Sequence, residues 1–315
     1  MPLFAWPWRR KRSSTTDSAP EEIIFTKEGA FHRFGRRRHA AGVPYLLAKD
    51  ISEHNRLDFQ HYLLRSALRG LWAAPIGQPR AILDAGTGTG RWAMEMAQNF
   101  PQANVVGVDI VVPRSDVETA SLNPQASQPS STRPENYSFV IGNVLEGLPF
   151  TDGTFDYTHQ RLLVVGIPAD RWQSVVNELV RVTRPGGWVE LVEGDLQIGG
   201  GPAFNQLLTW ITEISAQRGI DIRAVRGIGK FLENAGLQQI AFRELRLPMG
   251  KHGGRVGLML ETDYFTGVAN LRDLLVAKGF TTAPQFDQTL AAARAEVARG
   301  RVQWPVYIAF GQRPY

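Results

Sequence analysis

One stretch, Ile82-Leu83-Asp84-Ala85-Gly86-Thr87-Gly88-Thr89-Gly90, constrains the fold of this chain more than any other. A short apolar run ends in an acid and three alternating glycines, and Arg91–Phe100 then reads as a helix that stops before Pro101. Glycine allows a backbone to turn sharply and to approach a ligand closely. A buried strand, a glycine turn and a helix make the opening unit of a doubly wound parallel sheet, where a nucleotide-like ligand lies over the turn.

The following segments keep the same rhythm. Asn104–Ile110, Tyr137–Ile141, Phe155–His159 and Trp188–Glu193 read as strands two to five, after a first strand at Ala81–Leu83. Trp172, Val175, Val176, Leu179 and Val180 recur at helical spacing, with Asp170 placed to cap that helix and Arg184-Pro185-Gly186-Gly187 to stop it. Strand–helix alternation of this kind implies an α/β sheet with helices on both faces. Residues 111–136, with four prolines and many Ser, Thr and Gln residues, read as a long insertion at the edge of the ligand crevice. Beyond Glu193 the rhythm loosens. Helices are expected near 203–217, 225–235, 262–278 and 286–298, with Trp210 in the core. Gln238–Leu247 and Val302–Phe310 are expected to close the sheet as an antiparallel hairpin.

Upstream, a helix is expected to start at Asp50, where Asp50 and Glu53 have the spacing of a capping box. Four segments follow from these boundaries: a basic tail at 1–40, a helical leader at 41–78, a ligand-binding core at 79–195, and C-terminal strands with a helical cap at 196–315. The net charge of +5 resides wholly in residues 1–38, which hold nine Lys/Arg and four acids; the other 26 basic and 26 acidic residues balance. A neutral body does not suggest a dedicated nucleic-acid binder. Phe4, Trp6 and Trp8 beside Arg9–Arg12 suit a weak membrane-surface contact through residues 1–12, although a solvated tail is the plainer reading. No run reaches the ~18 apolar residues of a membrane span, and the order of aromatic residues before charges is the reverse of a secretory leader. A soluble, cytoplasmic protein is expected. There is no cysteine, and the six histidines show neither HxH nor HExxH spacing, so no metal site is expected.

The glycine spacing discriminates between ligands. A pyrophosphate site favours G-x-G-x-x-G over a helix N-terminus. Here the pattern is G-x-G-x-G behind Asp84, and a carboxylate there repels a pyrophosphate and suits a cationic amine, such as that of S-adenosylmethionine. Asp109, at the end of the second strand, can accept from both ribose hydroxyls, a contact that would serve NAD equally. Gly142-Asn143-Val144 ends the third strand, where a side-chain amide and a backbone N–H could meet an adenine.

The ordered set LDAGTGTG, VVGVD, GNVLEGLPF, FDYTHQR and RVTRPGGWVELVE resembles the class I S-adenosylmethionine-dependent methyltransferases. The resemblance implies a Rossmann-like sheet, mostly parallel with a C-terminal antiparallel hairpin, between the helical leader and the cap. It places Asp84, Gly86, Thr87, Gly88 and Gly90 at the methionine end of S-adenosylmethionine, Asp109 at the ribose, and Asn143 with Val144 at the adenine. Most relatives carry Asp where Asn143 stands. A narrower resemblance, carried by Tyr45-Leu46-Leu47-Ala48-Lys49-Asp50, Glu53, Arg56-Leu57, Gln60-His61, Trp92 and the His-x-Arg segment after strand four, is to the LaeA-like or UMTA-like group. It implies a leader folded over the cofactor, with Tyr45 as a contact. It also implies either methyl transfer to a small organic acceptor, as in specialised metabolism, or a cofactor-binding regulator without turnover. An NAD-dependent oxidoreductase is the third alternative. S-adenosylhomocysteine would be the product, and no metal is implied.

Candidate catalytic residues lie at the C-terminal ends of strands four and five. His159 could accept a proton near neutral pH, or be a packed histidine. Arg161 could hold an acidic substrate or pair with an internal carboxylate, and Glu193 could polarise an amine or hydroxyl, or cap a loop.

Overall fold

The short apolar runs pair into one seven-stranded sheet. Its strands are β1 (Ala81–Ala85), β2 (Asn104–Asp109), β3 (Tyr137–Ile141), β4 (Phe155–Arg161), β5 (Thr183–Gly194), β6 (Gln238–Pro248) and β7 (Gln303–Gln312). Their order is β3-β2-β1-β4-β5-β7-β6. The first five are parallel, and β7 runs antiparallel between β5 and β6, so the expected closing hairpin is present. The computed structural model describes residues 51–112, 133–195, 200–300 and 302–315. The basic tail with its aromatic residues, Tyr45, the cap at Asp50 and residues 113–132 of the insertion lie outside the described residues.

The helices are α1 (Ile51–Leu68), α2 (Arg91–Asn99), α3 (Trp172–Val182), α4 (Pro202–Ala216), α5 (Ile228–Asn234), α6 (Gly254–Ala269), α7 (Arg272–Ala277) and α8 (Ala283–Arg299). A sheet buried on both faces needs apolar cover on each. Trp92, Ala93 and Met96 of α2 cover one face against Ile82, Val105 and Tyr157. Trp172, Val175 and Leu179 of α3 cover the other against Leu83, Val106 and Val189. A third cluster joins α4, α6 and α8 to Leu63 and Leu64 of α1 and to Trp304 and Val306 of β7, and Trp210 lies in it as expected. Because β6 and β7 complete the same sheet, the boundary drawn at 195 divides the chain and not the sheet. Among the described residues no helix is long and apolar enough to cross a membrane.

Three local expectations are corrected. β5 starts at Thr183, five residues before the expected Trp188, because Thr183 pairs with Phe155 and its hydroxyl meets that of Thr158 at 2.8 Å. The Arg-Pro-Gly-Gly segment is therefore taken into the strand at a register irregularity, and a Cβ on Gly187 would lie 2.7 Å from the Asp156 carbonyl oxygen. Asp170 does not cap α3: it sits in a 3₁₀ turn, Ala169–Arg171, and Arg171 is the N-cap residue without a side-chain bond. The helix expected at 262–278 begins at Gly254 and is interrupted between α6 and α7, where the amide of Asn270 donates to Glu53.

That last contact belongs to a buried clamp. Arg56 on α1 donates to both oxygens of Glu53 and, at 2.8 Å, to Asp263 on α6; Gln60 donates to the other oxygen of Asp263 at 2.9 Å. Arg56, Glu53 and Asp263 are all buried. One guanidinium thus holds two carboxylates and fixes the leader helix to the cap. Removing one partner of such a set leaves uncompensated buried charge. Arg56→Ala is expected to destabilise the fold by about 3–5 kcal/mol in urea unfolding, and a loss within experimental error of zero would show that α1 is held by its apolar face alone.

Candidate functional site

The sheet order reverses beside β1: the chain lays β2 and β3 on one side and then crosses to β4 and β5 on the other. Loops leaving the C-terminal ends of β1 and β4 diverge there and open a crevice, the usual ligand position of such sheets. A cavity of about 550 Å³ occupies it. Its walls come from the glycine loop, the ends of β2, β3 and β4, and the α1 side chains Glu53, His54, Leu57, Gln60 and His61.

The glycine loop is built around Asp84. Asp84 pairs in register with Gly107 of β2 and His159 of β4, and His159 with Glu190 of β5, giving one row across four strands. The Thr87 hydroxyl donates to Asp84 Oδ2 at 2.7 Å, and the ring of His159 lies 2.9 Å from Oδ1 through Nδ1. Thr87 folds over Gly107, where a Cβ would come within 2.8 Å of it. Gly86, Gly88 and Gly90 all have positive φ, at 73°, 57° and 78°, and a side chain at Gly90 would collide with the Tyr137 hydroxyl at 2.6 Å. Glycine is required there for both conformation and space.

Most of the residues assigned from sequence to the cofactor lie together. Asp84, Gly86, Thr87, Gly88, Asp109, Asn143 and Val144 all line the cavity; Gly90 stands behind the loop as the α2 N-cap, and Tyr45 lies outside the described residues. Asp109 receives the Gly88 N–H at 2.9 Å and the Val111 N–H at 3.1 Å, while burial raises its carboxyl above the ordinary value. Asn143 receives the Leu145 N–H and donates to Glu146, which orders its loop. Asp84, Asp109 and Glu146 share the cavity wall with Arg91, Arg161 and Arg171, and Glu53, also in the wall, is paired with Arg56.

The three acceptor-side candidates separate. Arg161 lines the cavity and donates to Nδ1 of His61 at 3.1 Å. His159 and Glu193 are fully buried, and neither is part of the cavity wall. His159 lies flat against Trp92, with ring centroids 3.8 Å apart and planes 5° from parallel. Glu193 accepts from the Leu163 and Val164 backbone and from Gln160, so it holds the loop that leaves β4. His54, Leu162 and Leu163 are wall residues that the sequence did not single out, and Leu57 was named only as part of the leader. The signal for His54 was the leader segment itself, and Leu163 is marked by its contact with Gly86, 3.0 Å from where a Cβ would be. Among the described residues no group of three His, Asp or Glu side chains is placed to hold a metal ion.

Burial sets two titrations in this region. His61 is pushed down to about 3, chiefly by desolvation and then by Arg161, Arg65 and Arg91, and stays neutral at working pH. Its Nε2 lies 3.3 Å from Glu95 Oε1 without hydrogen-bond geometry. Burial pushes Glu193 up from 4.5 to about 7, against the hydrogen bonds it accepts.

Residues 82–187 match a family described as a methyltransferase domain. The chain is 32% identical to the N-methyltransferase sirN of Leptosphaeria maculans over 73% of this chain and 78% of that one. It is 29% identical to the N-methyltransferase verN of Clonostachys rogersoniana over 72% and 77%. The N-methyltransferase tcpN of Claviceps purpurea is 28% identical over 83% and 94%.

The Glu193 shift has a defined sign. The folded state holds this proton more tightly than the unfolded chain, so the contribution of Glu193 is most favourable below pH 4.5 and declines as pH rises through about 7. The stability of the native protein relative to Glu193→Gln is expected to fall between pH 4.5 and 7, by up to about 3 kcal/mol. Urea unfolding of both proteins across that range measures it, and a pH-independent difference would contradict the assignment.

Proposed function

The chain belongs to the class I S-adenosylmethionine-dependent methyltransferases, and from that premise we propose that it methylates a nitrogen of a small organic acceptor of specialised metabolism. The oxidoreductase alternative falls with the family. The observation that carries the proposal is the walled cavity over the glycine loop, whose volume is in the range of small-molecule sites and whose lid is α1. The nitrogen acceptor is supported by relatives that are themselves named N-methyltransferases.

The residues present fit the cofactor. S-adenosylmethionine carries a sulfonium, an ammonium and one carboxylate, and the cavity wall offers carboxylates of Asp84, Asp109 and Glu146 beside guanidiniums of Arg91, Arg161 and Arg171. Asp109 would take the ribose hydroxyls, Asn143 and Val144 the adenine, and the loop from Asp84 to Gly88 the methionine end. When bound, the cofactor would supply an electrophilic methyl group to the acceptor's lone pair, with S-adenosylhomocysteine as the leaving group. The protein's part is to hold the acceptor in line and to exclude water. An acceptor amine that arrives uncharged needs no base. We therefore assign His159 and Glu193 as positioning residues, one holding Asp84 and the other the loop after β4. Arg161, in the wall, is the one of the three placed to touch a ligand.

Calorimetric titration is expected to show micromolar-range binding of S-adenosylhomocysteine and no comparable binding of NAD. Asp109→Ala should weaken the former roughly 10- to 100-fold, the loss of hydrogen bonds to a charged group. Incubation with S-adenosylmethionine and a panel of small amines and amides, read by mass spectrometry, should then show methyl transfer. Binding without transfer to any acceptor would favour the regulator, and methylated protein or RNA as the sole product would overturn the small-molecule assignment.

A further inference from the structure

The three guanidiniums of the cavity wall differ in what holds them. Arg91 is paired with Asp58 at 3.1 Å. Arg171 donates to the Leu145 carbonyl and to the Ser174 hydroxyl. Arg161 has a single hydrogen bond, from Nη2 to Nδ1 of His61, and among the described residues it forms no ion pair. Its Nε and Nη1 have no protein partner, yet neither is sealed from solvent, unlike the orphaned polar atoms of the core. They are open on the side of the cavity that Arg161 lines.

A guanidinium keeps its charge at working pH, and drawing a charge out of water is costly unless an opposite charge meets it. Burial is the largest influence on Arg161 and draws it below the ordinary arginine value, against the attraction of Asp84 first and then of Glu95 and Glu190. Its one bonded partner is neutral. Arginine can only donate, so Nδ1 of His61 must accept and the ring proton sits on Nε2. The position is specific as well. Gln160 pairs with Ala85, which brings the next residue, Arg161, beside the turn at Gly86. The unmatched donors thus lie at the end of the cavity assigned to methionine, where S-adenosylmethionine has its one carboxylate.

We propose that Arg161 is the receptor for the α-carboxylate of the cofactor, and that His61 of the leader helix is its positioning residue. The proposal rests on the methyltransferase reading for the identity of the ligand. A guanidinium fork meets a carboxylate with directed, charge-assisted hydrogen bonds, and its orientation decides how many it can make. The bond to His61 fixes that orientation and leaves the other donors of the fork to the ligand. Because His61 stands on α1, the leader contributes to cofactor recognition through a residue that acts by way of Arg161.

Calorimetric titration of the full chain with three ligands tests this. They are S-adenosylhomocysteine, its decarboxylated analogue with hydrogen in place of the carboxylate, and methylthioadenosine, which lacks the whole amino-acid part. The native protein is expected to bind S-adenosylhomocysteine about 10- to 100-fold more tightly than the decarboxylated analogue. Arg161→Gln should bring S-adenosylhomocysteine down to the affinity of the analogue, while binding of the analogue does not weaken. His61→Leu should narrow the preference at least about threefold, and His61→Gln, whose amide oxygen can accept from Arg161, should keep it. Equal binding of the two ligands by the native protein, the result expected if Arg161 served an acidic acceptor instead, would overturn the proposal without any variant. A loss in Arg161→Gln that falls equally on both ligands would overturn it as well, and an undiminished preference in His61→Leu would overturn the part assigned to His61. Binding of none of the three ligands would overturn the functional reading and the proposal with it, whereas binding of methylthioadenosine with no preference for the carboxylate would overturn the proposal alone.

Discussion

A buried carboxylate must find partners, and Asp84 finds them in two directions. Through Thr87 it closes the glycine loop on itself; through His159 it ties the loop to the neighbouring strand. Trp92 then lies against His159, and its N–H donates to Leu71 at 2.7 Å, while Glu190 in the same row receives the Ala73 and Ala74 N–H groups. The chain between α1 and β1 is thereby fixed to the sheet by the residues that shape the loop. The ligand crevice and the position of the leader follow from one polar row across four strands.

The leader is held a second time at its other end, where Arg56 bridges Glu53 and Asp263. Between the two attachments α1 presents His54, Leu57, Gln60 and His61 to the cavity. A buried charged clamp contributes less net stability than its attraction suggests, because both charges are desolvated. Its use here is to set where α1 lies.

Much of the architecture was legible because it rests on local constraints. Alternating apolar runs gave the strands, and the closing hairpin is present where β6 and β7 were expected. The misplacements have physical causes: a strand absorbed Arg184–Gly187 through a bulge that needs Asp156 and Thr183 beside Gly187, and Asp170 yielded the α3 N-cap to Arg171 at the end of a 3₁₀ turn. For His159 the sequence left open a proton acceptor or a packed histidine, and for Glu193 a polarising group or a loop cap, since a position at a strand's end does not state which face the side chain takes or what lies over it.

The sequence by itself determined the strand–glycine–helix unit, the acid before it and the acid after the second strand. Conformation and spacing over a few residues suffice for these, because only glycine fits the positive φ of Gly86, Gly88 and Gly90 without strain. The tertiary structure alone decided what closes the site. Arg56 and Asp263 are 207 positions apart, and Trp304 reaches Gly194 from the far end of the chain. Burial and hydrogen-bond satisfaction depend on which distant segments pack together, and no local pattern in the sequence encodes that.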